Sequence, residues 1–297
     1  MAITNVLKWI PVLTVQCLGF GILYMYLLVV KHWKCESQLL KFIEFFPFPL
    51  LLLYELSFMR TVLAPIPRIS GKYQAFAPDF IAPNLLFGYC IYTRTSSNEP
   101  RYCRICATLQ PDRAWHCESC GACVLRMDHH CYWMNNCIHF GNYKFFLLTQ
   151  FYGAMTCLVM ATSCCVLMVK LNFPKLDSKS ALDFYTILPA LAVVFIGLGS
   201  ICLYYLRLVF ANQTLMERTF GIYLENGKQH NHFFDLGWKQ NFVQVFGDCF
   251  LLVCVPIFTS KGNGEVFPVS VKGESNICEL AEIPPSIRNQ CSAISST

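Results

Sequence analysis

The chain has 297 residues, of which 55% are hydrophobic and only 14% charged; with its positive mean hydropathy it is too apolar for a soluble protein of this length. A net charge of +5, dispersed along the sequence, excludes a nucleic-acid binder built on a basic face and suits a surface turned toward anionic lipid headgroups. The 18 cysteines fall in apolar runs and one dense cluster, which argues against a small secreted disulfide scaffold and for a reducing, metal-binding setting.

A membrane-spanning helix needs about 20 mainly apolar residues. Four stretches reach that length, at about Ile10 to Val30, Phe42 to Leu63, Phe145 to Val169 and Phe184 to Phe210. The first ends in Val29-Val30-Lys31-His32-Trp33, with no small-residue cleavage site, so it reads as a retained span and not a signal peptide. Four crossings put both termini on the side of the long segment between the second and third spans. That segment and its flanks carry Arg60, Arg68, Lys72, Arg94, Arg101, Arg104, Arg113, Arg126 and Lys144, whereas the two opposite loops hold lysines alone. The positive-inside rule therefore places the segment and both termini in the cytosol.

The expected architecture is a mainly α, polytopic membrane protein with four transmembrane helices and a small cytosolic cysteine-rich domain between helices 2 and 3. Residues 1–66 hold helices 1 and 2, 67–144 the cysteine-rich domain, 145–211 helices 3 and 4, and 212–297 a cytosolic C-terminal region. That last region has a mixed apolar stretch from Trp238 to Phe258 and a polar tail from about Lys261 whose composition reads as disordered. Gly153, Ala154 and Thr156 in the third span, and Pro189, Gly197 and Gly199 in the fourth, suit close helix packing or a kink. Glu55 is either an intramembrane acid or a residue meeting water near the cytosolic end.

From Cys103 the sequence reads CRICATLQPDRAWHCESCGACVLRMDHHCYWMNNC. Its C-x2-C steps, at Cys103/Cys106, Cys117/Cys120 and Cys120/Cys123, let pairs of thiolates meet one tetrahedral zinc ion. With Cys131, His129 and His139 set aside, six cysteines and two histidines remain, enough for two closed Cys3His sites holding together a domain with little apolar core. Asp128, His129 and Cys131 then stand side by side. His129 has the chemistry to serve as base for the Cys131 thiol with Asp128 orienting the imidazole; spacing alone equally allows all three to buttress a zinc site.

The run Asp128-His129-His130-Cys131, with the preceding Cys/His pattern and the following Trp133, Asn136-Cys137 and Gly141-Asn142-Tyr143-Lys144-Phe145-Phe146, closely resembles the cysteine-rich domain of DHHC palmitoyltransferases over about Arg101 to Phe146. Two weaker stretches resemble family motifs beyond the fourth span: Thr214-Leu215-Met216-Glu217, where Leu215 stands in place of a second threonine, and Asp235 to Gly247, centred on Asn241. The resemblance implies that Cys131 accepts an acyl group, with His129 as base and Asp128 polarising it. It further implies two interleaved structural zinc sites, Cys103, Cys106, His116 and Cys123 in one and Cys117, Cys120, His130 and Cys137 in the other. Glu217 is expected to tie a helix end to the zinc domain and Asn241 to fix the C-terminal region by buried hydrogen bonds.

The reaction so implied moves a long-chain acyl group from acyl-CoA to cysteines of membrane-associated proteins; Arg101, Arg126 and Lys144 are candidate cations for the CoA phosphates or, equally, for lipid phosphate. Expected partners are acyl-CoA, the lipid bilayer and proteins with juxtamembrane cysteines, with no nucleic acid. The expected location is the Golgi or ER, with the plasma membrane as an alternative. The chain departs from the family pattern at Tyr132, where Pro is usual, at Trp115 and His139, and in lacking an evident DPG motif after the second span. Tyr132 leaves room for an alternative, a catalytically weak membrane adaptor that binds proteins through its zinc domain.

Overall fold

The computed structural model describes residues 6–31, 44–73, 91–170, 178–224 and 227–270. The loop positions Lys34, Lys41 and Lys175 and the tail 271–297 lie outside them.

Long apolar stretches become long helices, because only a helix satisfies its own backbone polar groups away from water. Helix α1 covers Ile10–Val30, α2 Pro47–Val62, α3 Tyr143–Lys170 and α4 Ser178–Phe210. Three are long and apolar enough to cross a membrane, over Ile10–Val30, Tyr143–Lys170 and Ala181–Phe210. Within the second predicted span the helix runs from Pro47 with prolines at its first and third residues, where a missing N–H costs nothing. Its 16 residues measure about 24 Å against a hydrocarbon core of about 30 Å.

Helix α3 lies between α2 and α4, its main packing partners, and α1 crosses α4. One core cluster joins Val12 of α1, Phe58 and Val62 of α2, Phe146 and Leu147 of α3 and Tyr205 and Leu208 of α4, and it includes Cys131. A second, farther from the cysteines, holds Tyr26, Met160, Leu167, Phe184 and Leu191.

Between α2 and α3 the backbone forms short antiparallel ladders instead of a large sheet. Strands β2 (Tyr102–Cys103) and β3 (Thr108–Leu109) pair, as do β4 (Trp115–Cys117) with β5 (Ala122–Val124) and β6 (His129–Cys131) with β7 (Asn136–Ile138). Strand β1 (Thr93–Arg94) pairs instead with β8 (Tyr223–Leu224), which follows the short helix α5 (Leu215–Phe220). Helix α6 (Trp238–Phe246) comes next.

Buried polar side chains weld this unit to the helices. The Asn136 amide donates to the carbonyls of Thr61, Val62 and Ala64 at 2.9–3.2 Å, satisfying groups that the end of α2 leaves without intrahelical partners. Asn142 donates to the Thr61 and Cys137 carbonyls. Arg113, buried in a left-handed conformation at φ 67°, pairs through Nε and Nη2 with both oxygens of buried Glu217 at 2.6 and 2.9 Å and donates to Asn212. Glu217 and Thr214 close a reciprocal capping box at the start of α5. Fully buried Asn241 donates to the Phe210 carbonyl and to Asp235 and accepts from the Leu236 N–H.

The first part of the supposed disordered tail is packed. Phe267 and Val269 join Phe140, Ile222 and Phe234 in a cluster, and Glu265 accepts from the Ser70 N–H and meets Lys72. Two apolar residues in a polar stretch were enough to anchor it. Glu55, whose setting the sequence left open, accepts from Gln16 of α1 at 3.1 Å.

Candidate active site and metal centres

Alternation along β6 separates the two chemistries of the His129-His130-Cys131 run, since successive strand side chains point to opposite faces. His130 faces the sulphurs of Cys117, Cys120 and Cys137, with Nδ1 at 3.5, 3.4 and 3.6 Å. Its neighbours His129 and Cys131 face the helices, where His129 packs on Phe146 and Tyr205 and Cys131 joins the core beside Phe146 and Tyr205.

The second group gathers Cys103, Cys106 and Cys123 around His116 Nδ1 at 3.5, 3.3 and 3.9 Å. In each group the four potential ligand atoms lie within 4.8 Å of one another, and each could hold a metal ion. Tetrahedral zinc bonds to sulphur and nitrogen imply sulphur–nitrogen separations of about 3.6 Å, inside the observed range. Burial pushes the Cys123 and Cys137 thiols up, and the neighbouring sulphurs of Cys103 and Cys117 push them further. Thiolates this crowded call for a cation among them.

Asp128 is fully buried and held at both oxygens. Oδ1 accepts from the Leu215 N–H at 2.9 Å, and Oδ2 lies 2.7 Å from His129 Nδ1. Leu215 thus supplies a backbone donor at the position where the family motif has a threonine. Burial alone would lower the pKa of His129, but the Asp128 carboxylate and Cys131 outweigh it and raise it to about 9. The charged form of the ring is thus favoured by its Asp128 partner.

Tyr132 does not disturb this arrangement. It opens a 3-10 turn, Tyr132–Met134, closed by Asn135 at φ 45°, and its exposed ring stands edge-on to His130. His139 is fully buried, accepts from the Gly141 N–H and has its pKa lowered to about 4 by burial, so it is a neutral packing residue outside both metal groups.

The three cations expected to face phosphate are all buried. Lys144 donates to the Leu252 carbonyl and Thr259 hydroxyl at 2.7 and 2.9 Å, and the Arg126 guanidinium lies 5.2 Å from the Tyr143 ring centre. Lys144 is committed because the C-terminal segment folds back over the start of α3, and buried Arg126 lies against an aromatic ring. Arg101 donates to the Ala114 carbonyl and lies over Trp115 at 4.4 Å, yet it lines an open cavity of about 340 Å³ together with Arg94, Arg113, Trp115 and Phe220. Sequence reasoning counted Arg113 only as a surface charge and passed over Tyr205; the motif-like Glu217 was the available signal for Arg113, and nothing in the sequence marked Tyr205.

Residues 96–221 match the family described as DHHC palmitoyltransferase. Among similar proteins, Palmitoyltransferase ZDHHC15 of Homo sapiens is 39% identical over 188 residues, which cover 62% of this chain and 55% of that protein. Palmitoyltransferase ZDHHC2 of Homo sapiens is 39% identical over 200 residues, 67% of this chain and 54% of the relative. Palmitoyltransferase ZDHHC20-A of Danio rerio is 37% identical over 207 residues, 68% and 58%. The chain thus spans little more than half the length of the relatives it matches. On these matches residues 96–221 form a domain of the DHHC palmitoyltransferase family.

Proposed function

We propose that the chain is a protein S-acyltransferase, carrying a long-chain acyl group from acyl-CoA to cysteines of membrane-associated proteins through a thioester on Cys131. The observation that carries this reading is the pairing of Asp128 with His129 at 2.7 Å, on the strand face shared with Cys131, against the apolar core of the helices. A thiol there has a base at hand and hydrocarbon beneath it.

The chemistry follows from these groups. The Cys131 proton resides on His129, steadied by Asp128, and the thiolate attacks the thioester carbonyl carbon. The bond to the CoA sulphur breaks, and the imidazolium returns the proton to CoA. The thiol of an acceptor protein then gives its proton to His129 and takes the acyl group, restoring Cys131. We assign structural zinc to both Cys3His groups; its contribution when bound is to hold β4 to β7 in place, and the proton and acyl transfers belong to Asp128, His129 and Cys131.

An apolar cavity of about 180 Å³ lies between the helices, lined by Val15 and Leu18 of α1, Tyr54 of α2, Gly153 and Thr156 of α3 and Leu198 of α4. We assign it to the acyl tail, which then avoids exposure to water during transfer. Since Thr156 lies on its wall, Thr156→Tyr is expected to shift preference toward shorter chains. The CoA head is assigned to the Arg101 cavity. Helix α5, about 9 Å long, runs from Leu215, which contacts Asp128, to Phe220 on that cavity's rim, and Trp115 Nε1 there has no hydrogen-bond partner among the described residues.

Helix α2 is read as the second of four spans, its deficit in length made up by the residues before it. The cysteine-rich unit then lies on the cytosolic face of an internal membrane, Golgi or ER, where acyl-CoA reaches it. The test is the intact mass of purified protein after incubation with palmitoyl-CoA, with and without neutral hydroxylamine. The expected result is a hydroxylamine-labile adduct, absent in Cys131→Ser and strongly reduced in His129→Ala. Its absence from folded, zinc-loaded wild-type protein would replace this reading with the adaptor.

A further inference from the structure

Tyr205 lies near the cytosolic end of α4, 8% exposed, and the reaction just described does not use it. Its ring stacks on that of His129 with centroids 5.6 Å apart and planes 24° from parallel. Phe146 of α3 stands edge-on to both, 5.5 Å from His129 and 5.0 Å from Tyr205. The Tyr205 hydroxyl lies 3.3 Å from His129 Nδ1, so the proton that Nδ1 directs at Asp128 has a second, longer acceptor beside it. The imidazole is thus held in plane by two rings, with both oxygens gathered at Nδ1.

A side chain in strand β6 has its backbone set by the ladder to β7, but its ring still has freedom about χ2, which is broad for histidine. Asp128 alone holds one nitrogen and leaves the ring free to swing about that bond. Stacking supplies the missing restraint, and α4 is suited to it. The segment that follows α4 puts the Leu215 N–H on Asp128, so one stretch of chain grips both members of the acid–base pair. Leu198, seven residues before Tyr205 and so on the same helix face, lines the acyl cavity. The helix beside the reacting tail therefore also carries the group that aligns the base.

We infer that Tyr205 is a positioning residue that holds the His129 imidazole in line with Cys131 through ring stacking and its hydroxyl. This rests on the acyl-transfer reading for its purpose, though its effect on Cys131 is measurable without acyl-CoA. Full-length zinc-loaded protein is compared as wild type, Tyr205→Phe and Tyr205→Leu. One measurement is the single-turnover acylation rate against palmitoyl-CoA concentration; the other is the rate of Cys131 alkylation by iodoacetamide at fixed pH, followed by peptide mass mapping.

The expected result for Tyr205→Leu is a fall in the saturating acylation rate of about tenfold to a hundredfold, as for a misplaced catalytic group, with little change in the half-saturating concentration. Cys131 alkylation slows in the same variant while zinc content stays at two per chain. Tyr205→Phe, which keeps the stack and loses the hydroxyl, recovers most of both rates. A general packing defect would instead lower zinc content or melting temperature alike in both variants. If Tyr205→Leu with full zinc alkylates and acylates at wild-type rates, the inference is overturned. If wild type itself forms no acyl adduct, the acyl-transfer reading falls, and the alkylation comparison still decides the role of Tyr205.

Discussion

The two Cys3His groups have the same ligand set and the same histidine nitrogen, yet they are joined to different parts of the molecule. Cys103, Cys106 and Cys123 of one group sit in a cluster with Ile69, Tyr73 and Leu109, and the strands there form the wall that carries Arg101 and Trp115. Cys117, Cys120, His130 and Cys137 close instead over the β6–β7 hairpin, which also bears His129, Cys131 and the Asn136 clamp on α2. Identical ligand sets therefore have unequal settings: the second group is mechanically part of the hairpin that bears Cys131, and the first is part of the surroundings.

Substitution tests that inequality directly. The largest effect is expected for Cys137→Ser, which should lose one metal equivalent and all detectable acylation, since His130 and Cys131 lose their common anchor; metal content and intact mass report both. Next comes Arg113→Ala, which links the first group's surroundings to α5 and leaves Glu217 buried without its partner. It should cost about 3–5 kcal/mol, read as a lowered midpoint in thermal unfolding. Cys106→Ser should also lose one metal, yet keep Cys131 alkylation by a small reagent close to the wild-type rate while needing more acyl-CoA to saturate. Should it silence Cys131 as fully as Cys137→Ser does, the two groups are one cooperative unit and the comparison breaks down.

The smallest effect concerns pH. The His129 pKa is raised from 6.5 to about 9, so the protonated form is favoured by folding. The stability it contributes is fully present below pH 6.5 and is lost as pH rises through about 9. The unfolding midpoint of wild type should therefore decline across that window more than that of His129→Ala, a difference visible in parallel thermal scans.

What the sequence disclosed follows from how local each signal is. C-x2-C steps, the Asp128-His129 neighbours and 20-residue apolar runs are short-range patterns, and the structure gathers the eight Cys/His positions into the two groups expected from the family resemblance. Contacts across long separations left no such pattern. Arg113 meets Glu217 104 residues away, and Tyr205 meets His129 76 residues away. Hydropathy does not register that Pro47 and Pro49 suit the first turn of α2 better than its interior. Lys144 and Arg126 read as surface cations only because residues 252–259, which cover Lys144, are distant in sequence, and because an aromatic neighbour of Arg126 gives no polar signal.

The contact between Ser70 and Glu265 closes a loop of 195 residues, and Arg60 reaches the Pro256 carbonyl across 196. During synthesis the cysteines of both groups emerge well before those partners do. The Cys/His groups are made of contacts close in sequence, whereas the seam between residues 60–73 and 256–269 closes only after both helices have been made, and non-local contacts of this span form late because loop closure precedes their reward. Assembly therefore has an order written into it, local Cys/His groups early and the C-terminal seam last, so that a chain halted before about residue 256 would lack its lock.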